Sequence, residues 1–319
     1  MIRKIGVLTS GGDSPGMNAA IRAVTRSALA CGIEVVGVKD GYKGLCEGKF
    51  EKFTRSSVSD TLSRGGTILG SARLPEFKDV EVQKKAVAML QENHIDALVV
   101  IGGDGSYRGA NALTKLGINT ISLPGTIDND IQGTDQTIGF NTALDTVVDC
   151  VDRLRDTSSS HHRASVVEVM GNRCGDLAVH SAISTGAEIV ITPETGYDEE
   201  QIIERLKYLE SLGKNHAIII VSEKVADTNS LAKIITENTG FDGRATILGH
   251  IQRGGSPSPE DRVLASKMGE KAVELLVNGV GGHCVIVKDG KIDSMPIDEA
   301  LGLPRKNNKE LYRLFEKLV

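Results

Sequence analysis

Two short clusters of glycine and acidic residues near the middle of the chain have the composition of an anion-binding site with a metal ion. The first, GGDGS at residues 102–106, follows the apolar run at 97–101. Its glycines let backbone N–H groups approach an anion without a Cβ in the way, and a following helix would point its positive end at the same place. Because Asp104 would repel the anion, a carboxylate in this turn indicates a divalent cation between the two.

The second cluster, TIDND at residues 126–130, follows another apolar run at 118–123 that breaks at a Pro-Gly pair. If this segment is extended, Asp128 and Asp130 leave the backbone on one face. Two carboxylates facing one site suit a general base beside a charge-orienting partner. Either cluster alone could equally be a solvated turn, but the occurrence of both at adjacent strand ends favours a functional site.

The elements around these clusters predict a βαβ unit. Ala110, Leu113 and Leu116 recur at spacings of three after the first cluster, which indicates a helix between two buried strands. Ligand sites of such units lie at the carboxyl ends of the strands, and both clusters fall there.

The N-terminal apolar run Ile5–Leu8 predicts a strand that ends in a second glycine-rich turn, TSGGDSPG at residues 9–16. On the helix predicted after it, Arg22 and Arg26 lie four residues apart and share a face. That basic face is either functional or simply solvated.

Two further segments contribute candidate polar groups. Residues 40–44 predict a turn that contains Tyr42, and a short strand predicted at Thr67–Leu69 ends in GSAR. That strand end would deliver Arg73, a cation able to bridge phosphate oxygens.

Strands and helices alternate through the second half as well, which predicts mainly parallel sheets in α/β layers. There, Arg163, His250 and Arg253 supply side chains that can bind an anion. His250 and Arg253 follow a strand predicted at Thr246–Gly249. Phosphate-bearing ligands on the two halves, with a carboxylate base between them, indicate phosphoryl transfer from a nucleotide to a hydroxyl. The remaining predictions are helices at about 80–93, at 139–156, 198–212, 230–238, 259–278 and from about 309, strands at 35–38, 165–169, 189–191 and 217–221, and a hairpin around 288–290.

Composition sets the broad class. The 319 residues are 40% hydrophobic and 25% charged, as in ordinary globular proteins, and the net charge of −5 argues against a nucleic-acid partner. We expect neither a signal peptide nor a membrane span, because the chain enters a strand directly and has no apolar run near eighteen residues. Five scattered cysteines without metal-site spacing fit a reducing cytoplasm.

Six motifs together resemble those of bacterial 6-phosphofructokinases. They are TSGGDSPGMNAAIR, IGGDGSYRGA, PGTIDND, EVMG, SEKV and LGHIQRGGSP, in this order, and the resemblance covers essentially the whole chain. It implies two Rossmann-like three-layer α/β domains with the active site in the cleft between them. Residues 1–138 plus about 251–303 would form the nucleotide domain, and 139–250 plus about 304–319 the sugar-phosphate domain. The implied reaction is ATP-dependent phosphorylation of the 1-hydroxyl of fructose 6-phosphate, a committed step of glycolysis, by a cytoplasmic homotetramer built as a dimer of dimers.

The resemblance also implies residue roles. Asp128 would take the proton from the sugar 1-hydroxyl, and Asp104 would hold Mg²⁺. The catalytic set would be Asp128, Thr126, Asp130, Arg73 and Gly12. The ATP contacts would be Gly12, Tyr42, Arg73, Leu74, Lys78, Gly103, Asp104, Gly105, Ser106 and Gly109. The sugar-phosphate contacts would be Thr126, Ile127, Asp128, Arg163, Met170, Gly171, Asn172, Glu223, Arg244, His250 and Arg253.

The chain departs from the family pattern at two of these positions. Leu74 replaces an aromatic residue near the nucleotide, and Asn172 replaces the usual arginine, with Arg173 following it. In the family, the arginines that match Arg163 and Arg244 serve a neighbouring subunit's site.

A second, regulatory anion site between subunits is implied too, with ADP or phosphoenolpyruvate as effector. Leu212 and Asn215 stand where the family often has further cations, so we expect a weak response. The matching positions are Arg22, Arg26, Arg55, Ser59, Asp60, Arg155, Gly186, Glu188, Lys214 and His216.

The alternative functions differ from this reaction in the phosphoryl donor or in the class of protein. Pyrophosphate-dependent relatives carry Asp and Lys where this chain has Gly105 and Gly125, and the two glycines leave room for the α-phosphate and nucleoside of ATP. A NAD or lipid kinase would share GGDG but has no reason to carry TIDND or HIQRGG. A non-enzymatic sugar-phosphate-binding protein would need neither a base nor a metal-binding carboxylate.

Overall fold

The computed structural model describes residues 2–304 and 308–319. The order of elements alternates between strands and helices, as the sequence pattern predicts. They are β1 (Lys4–Ser10), α1 (Met17–Ala30), β2 (Glu34–Val38), α2 (Gly41–Cys46), β3 (Phe50–Phe53), a 3₁₀ helix (Pro75–Lys78), α3 (Val80–Glu92), β4 (Ala97–Gly102), α4 (Asp104–Lys115), β5 (Asn119–Pro124), α5 (Phe140–Ser159), β6 (Arg163–Val169), α6 (Asp176–Thr185), β7 (Ile189–Ile191), α7 (Glu199–Ser211), β8 (Ala217–Ser222), α8 (Thr228–Asn238), β9 (Asp242–Ile247), a second 3₁₀ helix (Gly249–Arg253), α9 (Pro259–Val277), β10 (His283–Lys288), β11 (Lys291–Pro296), α10 (Ile297–Gly302) and α11 (Lys309–Leu318).

The chain divides into two compact units. The first comprises Met1–Ile127, Ile131–Thr142 and Arg253–Arg305, and the second comprises Asp128–Asp130, Ala143–Gln252 and Lys306–Val319.

In the described part of the first unit, the strands form a seven-stranded sheet in the order β11-β10-β5-β4-β1-β2-β3. Its central strands are parallel, and β3 and β11 pair antiparallel at the edges. Every residue of β4 is buried, as expected for a strand covered by helices on both faces. Val99 and Ile101 pack with α1 and α9 on one face, and Leu98 and Val100 pack with α3 and α4 on the other.

Among the described residues of the second unit, four parallel strands run in the order β7-β8-β6-β9. Ile219 and Val221 of β8 pack against Leu206 of α7 and Leu231 of α8, while α6 contacts the same strand. Side-chain caps begin α7 and α8, where Asp198 and Asp227 accept the amide protons of residues three positions on.

Three local predictions are wrong. Thr67–Leu69 is not a strand, so no strand end delivers Arg73. The side chain of Asn18 accepts the Ile68 amide proton at 2.7 Å and donates to the carbonyls at 64 and 65, so a distant side chain, not a strand ladder, holds this segment. Residues 40–44 form no simple turn, because α2 begins at Gly41.

The strand predicted at Thr246–Gly249 is also misplaced. Strand β9 ends at Ile247, and Gly249, with φ +54°, turns the chain into the 3₁₀ helix that carries His250 and Arg253. Helix α6 was missed altogether. Most of its residues are buried, so it lacks the polar face that reveals a surface helix.

No helix among residues 2–304 and 308–319 is long and apolar enough to cross a bilayer.

Candidate active site

Three strand ends of the first unit lie level with one another. Ser10, the last residue of β1, pairs with Gly102, the last residue of β4, and Gly102 pairs with Pro124, the last residue of β5. Both glycine-rich turns and the start of the TIDND segment therefore leave the sheet at one edge. The sequence prediction that these clusters follow adjacent strands is confirmed.

The GGDGS turn is shaped by two different glycine environments. A Cβ on Gly102 would overlap the Ser10 carbonyl and the Ser106 hydroxyl, and that hydroxyl donates to the same carbonyl at 3.0 Å. At Gly105, nothing lies within 4 Å of the Cβ position, so this face of the turn is open. Because α4 begins at Asp104, the first N–H groups of this helix have no partner within the helix and can meet an anion.

Asp104, at the start of this helix, is suited to bind a divalent cation that also contacts the phosphates of a nucleotide. Its carboxylate is partly exposed and pairs with Arg108 at 3.0 Å. No group of three or more His, Cys, Asp or Glu side chains forms a metal cage in the described part of the chain. Mg²⁺ is commonly bound by one or two carboxylates plus substrate phosphates, and Asp104 beside an anion-binding turn provides that donor set.

Tyr42 supports the same turn from the interior. It is buried, its hydroxyl donates to the Ser106 carbonyl at 2.6 Å, and a Cβ on Gly109 would overlap its ring. Burial raises the pKa of Tyr42 above its usual value, so the phenol stays protonated. Its ring stacks on Phe77 with centroids 4.2 Å apart, a partner that sequence reasoning missed. Leu74, partly buried, and Lys78, exposed, flank Phe77.

The first glycine turn is lined by an arginine. Gly11 adopts φ +85°, and the Arg253 guanidinium lies where a Cβ of Gly12 would be. The buried Nε of Arg253 finds no hydrogen-bond acceptor within the described residues. The Ser71 hydroxyl donates to the Gly11 carbonyl at 2.5 Å, which anchors the segment that carries the exposed Arg73.

The backbone that leads into TIDND is fixed within the first unit. The Thr126 amide donates to the Ile138 carbonyl at 3.1 Å, and the Thr137 hydroxyl donates to the Thr126 carbonyl at 2.7 Å. Ile127 is buried.

Asp128 and Asp130 were expected on one face only if their segment is extended, and that condition is not met. Between Asp128 and Asp130, Asn129 adopts φ +51°, so the segment is not extended and the side-chain alternation of a strand is lost. Both carboxylates are half-buried. Within the second unit, the buried Asn129 amide donates to Asp176 at 2.9 Å.

Asn172 occupies a left-handed backbone conformation with φ +58°, which Asn tolerates better than most residues. Its amide N–H donates to Glu223 at 2.8 Å, and its side-chain nitrogen donates to Asp130 at 3.2 Å. Its side-chain oxygen accepts from Lys224 at 3.0 Å. Asn172 is thus tied both to Asp130 and to the Glu223 expected to contact the sugar.

Two of the expected phosphate-binding arginines share one carboxylate. Arg244 lies 2.8 Å and Arg163 3.5 Å from Asp242, on adjacent strands β9 and β6. His250 is exposed on the following 3₁₀ helix. In the same unit, Gln252 accepts the Met170 amide proton at 3.1 Å, and Gly171 follows with φ +143°.

The expected effector residues of the second unit are largely engaged with one another. The buried Glu188 accepts from Lys214 at 2.5 Å and from the Ile218 amide at 2.7 Å, so both of its carboxylate oxygens are engaged. Arg155 donates to the carbonyls of Thr185 and Gly186. Desolvation, with the charges of Arg155 and Lys214, lowers the pKa of His216 despite the opposing charge of Glu188.

The expected effector residues of the first unit are more open. Arg22 and Arg26 are partly buried on α1, and burial followed by the charge of Arg26 lowers the pKa of Arg22. Arg55, Ser59 and Asp60 are exposed in the turns that follow β3.

Comparison with known proteins identifies the family. The phosphofructokinase family matches residues 4–276. The ATP-dependent 6-phosphofructokinases of Vibrio campbellii and Photobacterium profundum are 58% and 57% identical over 319 residues, with all of this chain and all of each relative covered. The chain belongs to the phosphofructokinase family.

Solved structures of this family agree with the fold. Phosphofructokinase from Saccharomyces cerevisiae aligns with a TM-score of 0.88 at 37% identity, covering 99% of this chain and 47% of the yeast chain. A pyrophosphate-dependent phosphofructokinase from Marinobacter aquaeolei aligns with a TM-score of 0.86 over 100% of this chain and 92% of its own. At 19% identity, that second likeness extends to the fold alone. The predicted α/β class with mainly parallel sheets is confirmed.

Proposed function

We propose that this chain transfers the γ-phosphoryl group of ATP to the 1-hydroxyl of fructose 6-phosphate, releasing fructose 1,6-bisphosphate and ADP in glycolysis. The observation that carries this proposal is the full-length match, at 57–58% identity, to relatives named ATP-dependent 6-phosphofructokinase. The open face of Gly105 is consistent with ATP, since it leaves space beside the turn for an α-phosphate and nucleoside.

In this proposal, the first unit receives the nucleotide. The N–H groups at the start of α4 and in the turn at residues 11–16 meet phosphate oxygens, and Arg73 adds positive charge. Asp104 would hold the divalent cation, for which we propose Mg²⁺. When bound, that ion would neutralise phosphate charge as it develops.

Asp128 is the proposed general base. It accepts the proton of the sugar 1-hydroxyl as that oxygen attacks the γ-phosphorus, and the bond from the γ-phosphorus to the β–γ bridging oxygen breaks, so the electron pair leaves with ADP. Thr126 and Asp130 flank the base. The hydrogen bond from Asn172 holds one oxygen of Asp130.

Sugar-phosphate binding is assigned to the second unit and to Arg253. Arg163 and Arg244, placed together by Asp242, form a paired cation suited to a dianionic phosphate. We propose that they serve a neighbouring subunit in a homotetramer. The five cysteines are free thiols, the state expected in the reducing cytoplasm where we place the reaction.

The test is a coupled assay of the purified enzyme with fructose 6-phosphate and Mg²⁺, run in parallel with ATP and with pyrophosphate. We expect turnover with ATP, loss of turnover with a chelator and recovery with added Mg²⁺. Faster turnover with pyrophosphate than with ATP would overturn the donor assignment. Absence of turnover with either donor would overturn the proposed reaction.

A further inference from the structure

Helix α11 is attached at two points to the residues that begin α6. Asn308, the residue that precedes α11, donates its side-chain amide to Asp176. One turn into the helix, the Tyr312 hydroxyl contacts Glu194 at 3.1 Å, and Glu194 accepts the Gly175 amide proton at 3.0 Å.

These contacts are tightly packed. A Cβ on Gly175 would overlap the Tyr312 hydroxyl and the Glu194 carboxylate, and Tyr312 also bonds Thr192 at 2.9 Å. Asn308 makes no side-chain hydrogen bond to the start of its own helix, the usual use of Asn at this position. Its amide is directed at Asp176 instead. The position of the Gly175–Asp176 pair therefore depends on α11.

Asp176 connects this helix to the TIDND segment. It is 4% exposed and is the first residue of α6, where the helix dipole stabilises a carboxylate. One of its oxygens accepts from Asn308, and the other accepts from Asn129 at 2.9 Å.

Asn129 lies between the two carboxylates assigned to the chemistry. It is 3% exposed and holds the left-handed turn that separates Asp128 from Asp130. Because the Asn129 side chain is tethered to Asp176, a shift of the Asp176 carboxylate would pull on this turn and so move the backbone that carries both carboxylates. Displacements of about 1 Å at reacting groups can cost roughly 10²-fold in rate.

We propose that Asp176 is a positioning residue that transmits the placement of α11, through Asn308 and Asn129, to Asp128 and Asp130. The C-terminal helix thereby acts as a structural support of the proton-transfer step. The kinetic part of this inference rests on the proposed function.

The kinetic test uses Asn308→Ala and Tyr312→Phe, with Asn238→Ala and Tyr208→Phe as matched controls on α8 and α7 of the same unit. We expect Asn308→Ala to lower kcat about tenfold or more while the KM values for ATP and fructose 6-phosphate stay within twofold. Asn308→Ser, which keeps a donor, should recover part of the loss. Both controls should match the unmodified enzyme.

Hydrogen exchange of the backbone amides at 126–131 provides a test that does not require activity. Asn308→Ala should raise exchange there relative to Asn238→Ala, at temperatures well below the unfolding of either variant. Equal exchange in the two variants overturns the inference. Unchanged kcat in Asn308→Ala also overturns it, whatever the exchange shows. If the unmodified enzyme has no activity, the proposed function fails and the exchange comparison alone decides the inference.

Discussion

The guanidinium group of Arg253 occupies the space that a side chain on Gly12 would need. A Cβ at Gly12 would overlap its Nη1 atom, and only the far end of a flexible side chain is in the way. The arginine can therefore move aside without disturbing the core.

We expect Gly12→Ala to fold normally but to displace Arg253, and so to lower kcat/KM for fructose 6-phosphate by about tenfold or more. A lost charge-assisted hydrogen bond of about 1.5–3 kcal/mol corresponds to that range. Thermal unfolding and steady-state kinetics should be measured together. Gly302→Ala, where nothing lies within 4 Å of the added Cβ, is the control. Unchanged kinetics in Gly12→Ala would show that the contact with Arg253 has no role.

The two glycines associated with donor choice should respond differently to substitution. Gly105 is open, whereas a Cβ on Gly125 would lie 2.9 Å from Ile101 and 3.2 Å from Met17. Gly105→Asp should therefore keep its Tm and raise the KM for ATP, because the carboxylate repels the α-phosphate. Gly125→Lys should lose stability, by about 1–3 kcal/mol as expected for overpacking. Equal Tm values for the two variants would contradict this distinction.

The sequence predicted the elements that carry GGDGS and TIDND because β4 is a continuous apolar run that ends in glycine, and β5 carries Ile121 and Leu123 just before a Pro-Gly pair. It could not predict the path of residues 126–130, since Asn129, in its left-handed turn, bonds Asp176, 47 residues away in the chain. Arg73 was singled out by residue type alone. Its segment is held by hydrogen bonds to Asn18 and to the Gly11 carbonyl, 50 or more residues away in the chain, which no local pattern reveals.

Arg163 and Arg244 are expected to act across a subunit boundary. Hybrids formed by exchange between inactive Asp128→Asn and inactive Arg163→Ala subunits should regain activity, because some sites then combine an intact base with an intact arginine. The recovered rate should rise with the fraction of verified hybrids. Verified hybrids that stay inactive would indicate that each subunit completes its own site.

Regulation through the second anion site should be weak. Leu212 and Asn215 supply no charge, and Lys214 is already paired with the buried Glu188. Saturation curves for fructose 6-phosphate, with and without millimolar ADP or phosphoenolpyruvate, should therefore differ only slightly. A large shift in half-saturation at micromolar effector would show that Arg22, Arg26 and Arg155 suffice.

The most direct test of the central claim is the kcat of Asp128→Asn with ATP, Mg²⁺ and fructose 6-phosphate. The substitution preserves shape but removes the proton acceptor, so we expect kcat to fall by about 10²–10⁴ while fructose 6-phosphate binding, measured by calorimetry, remains close to that of the unmodified enzyme. A variant that retains near-normal turnover would contradict the assignment of Asp128 as the base.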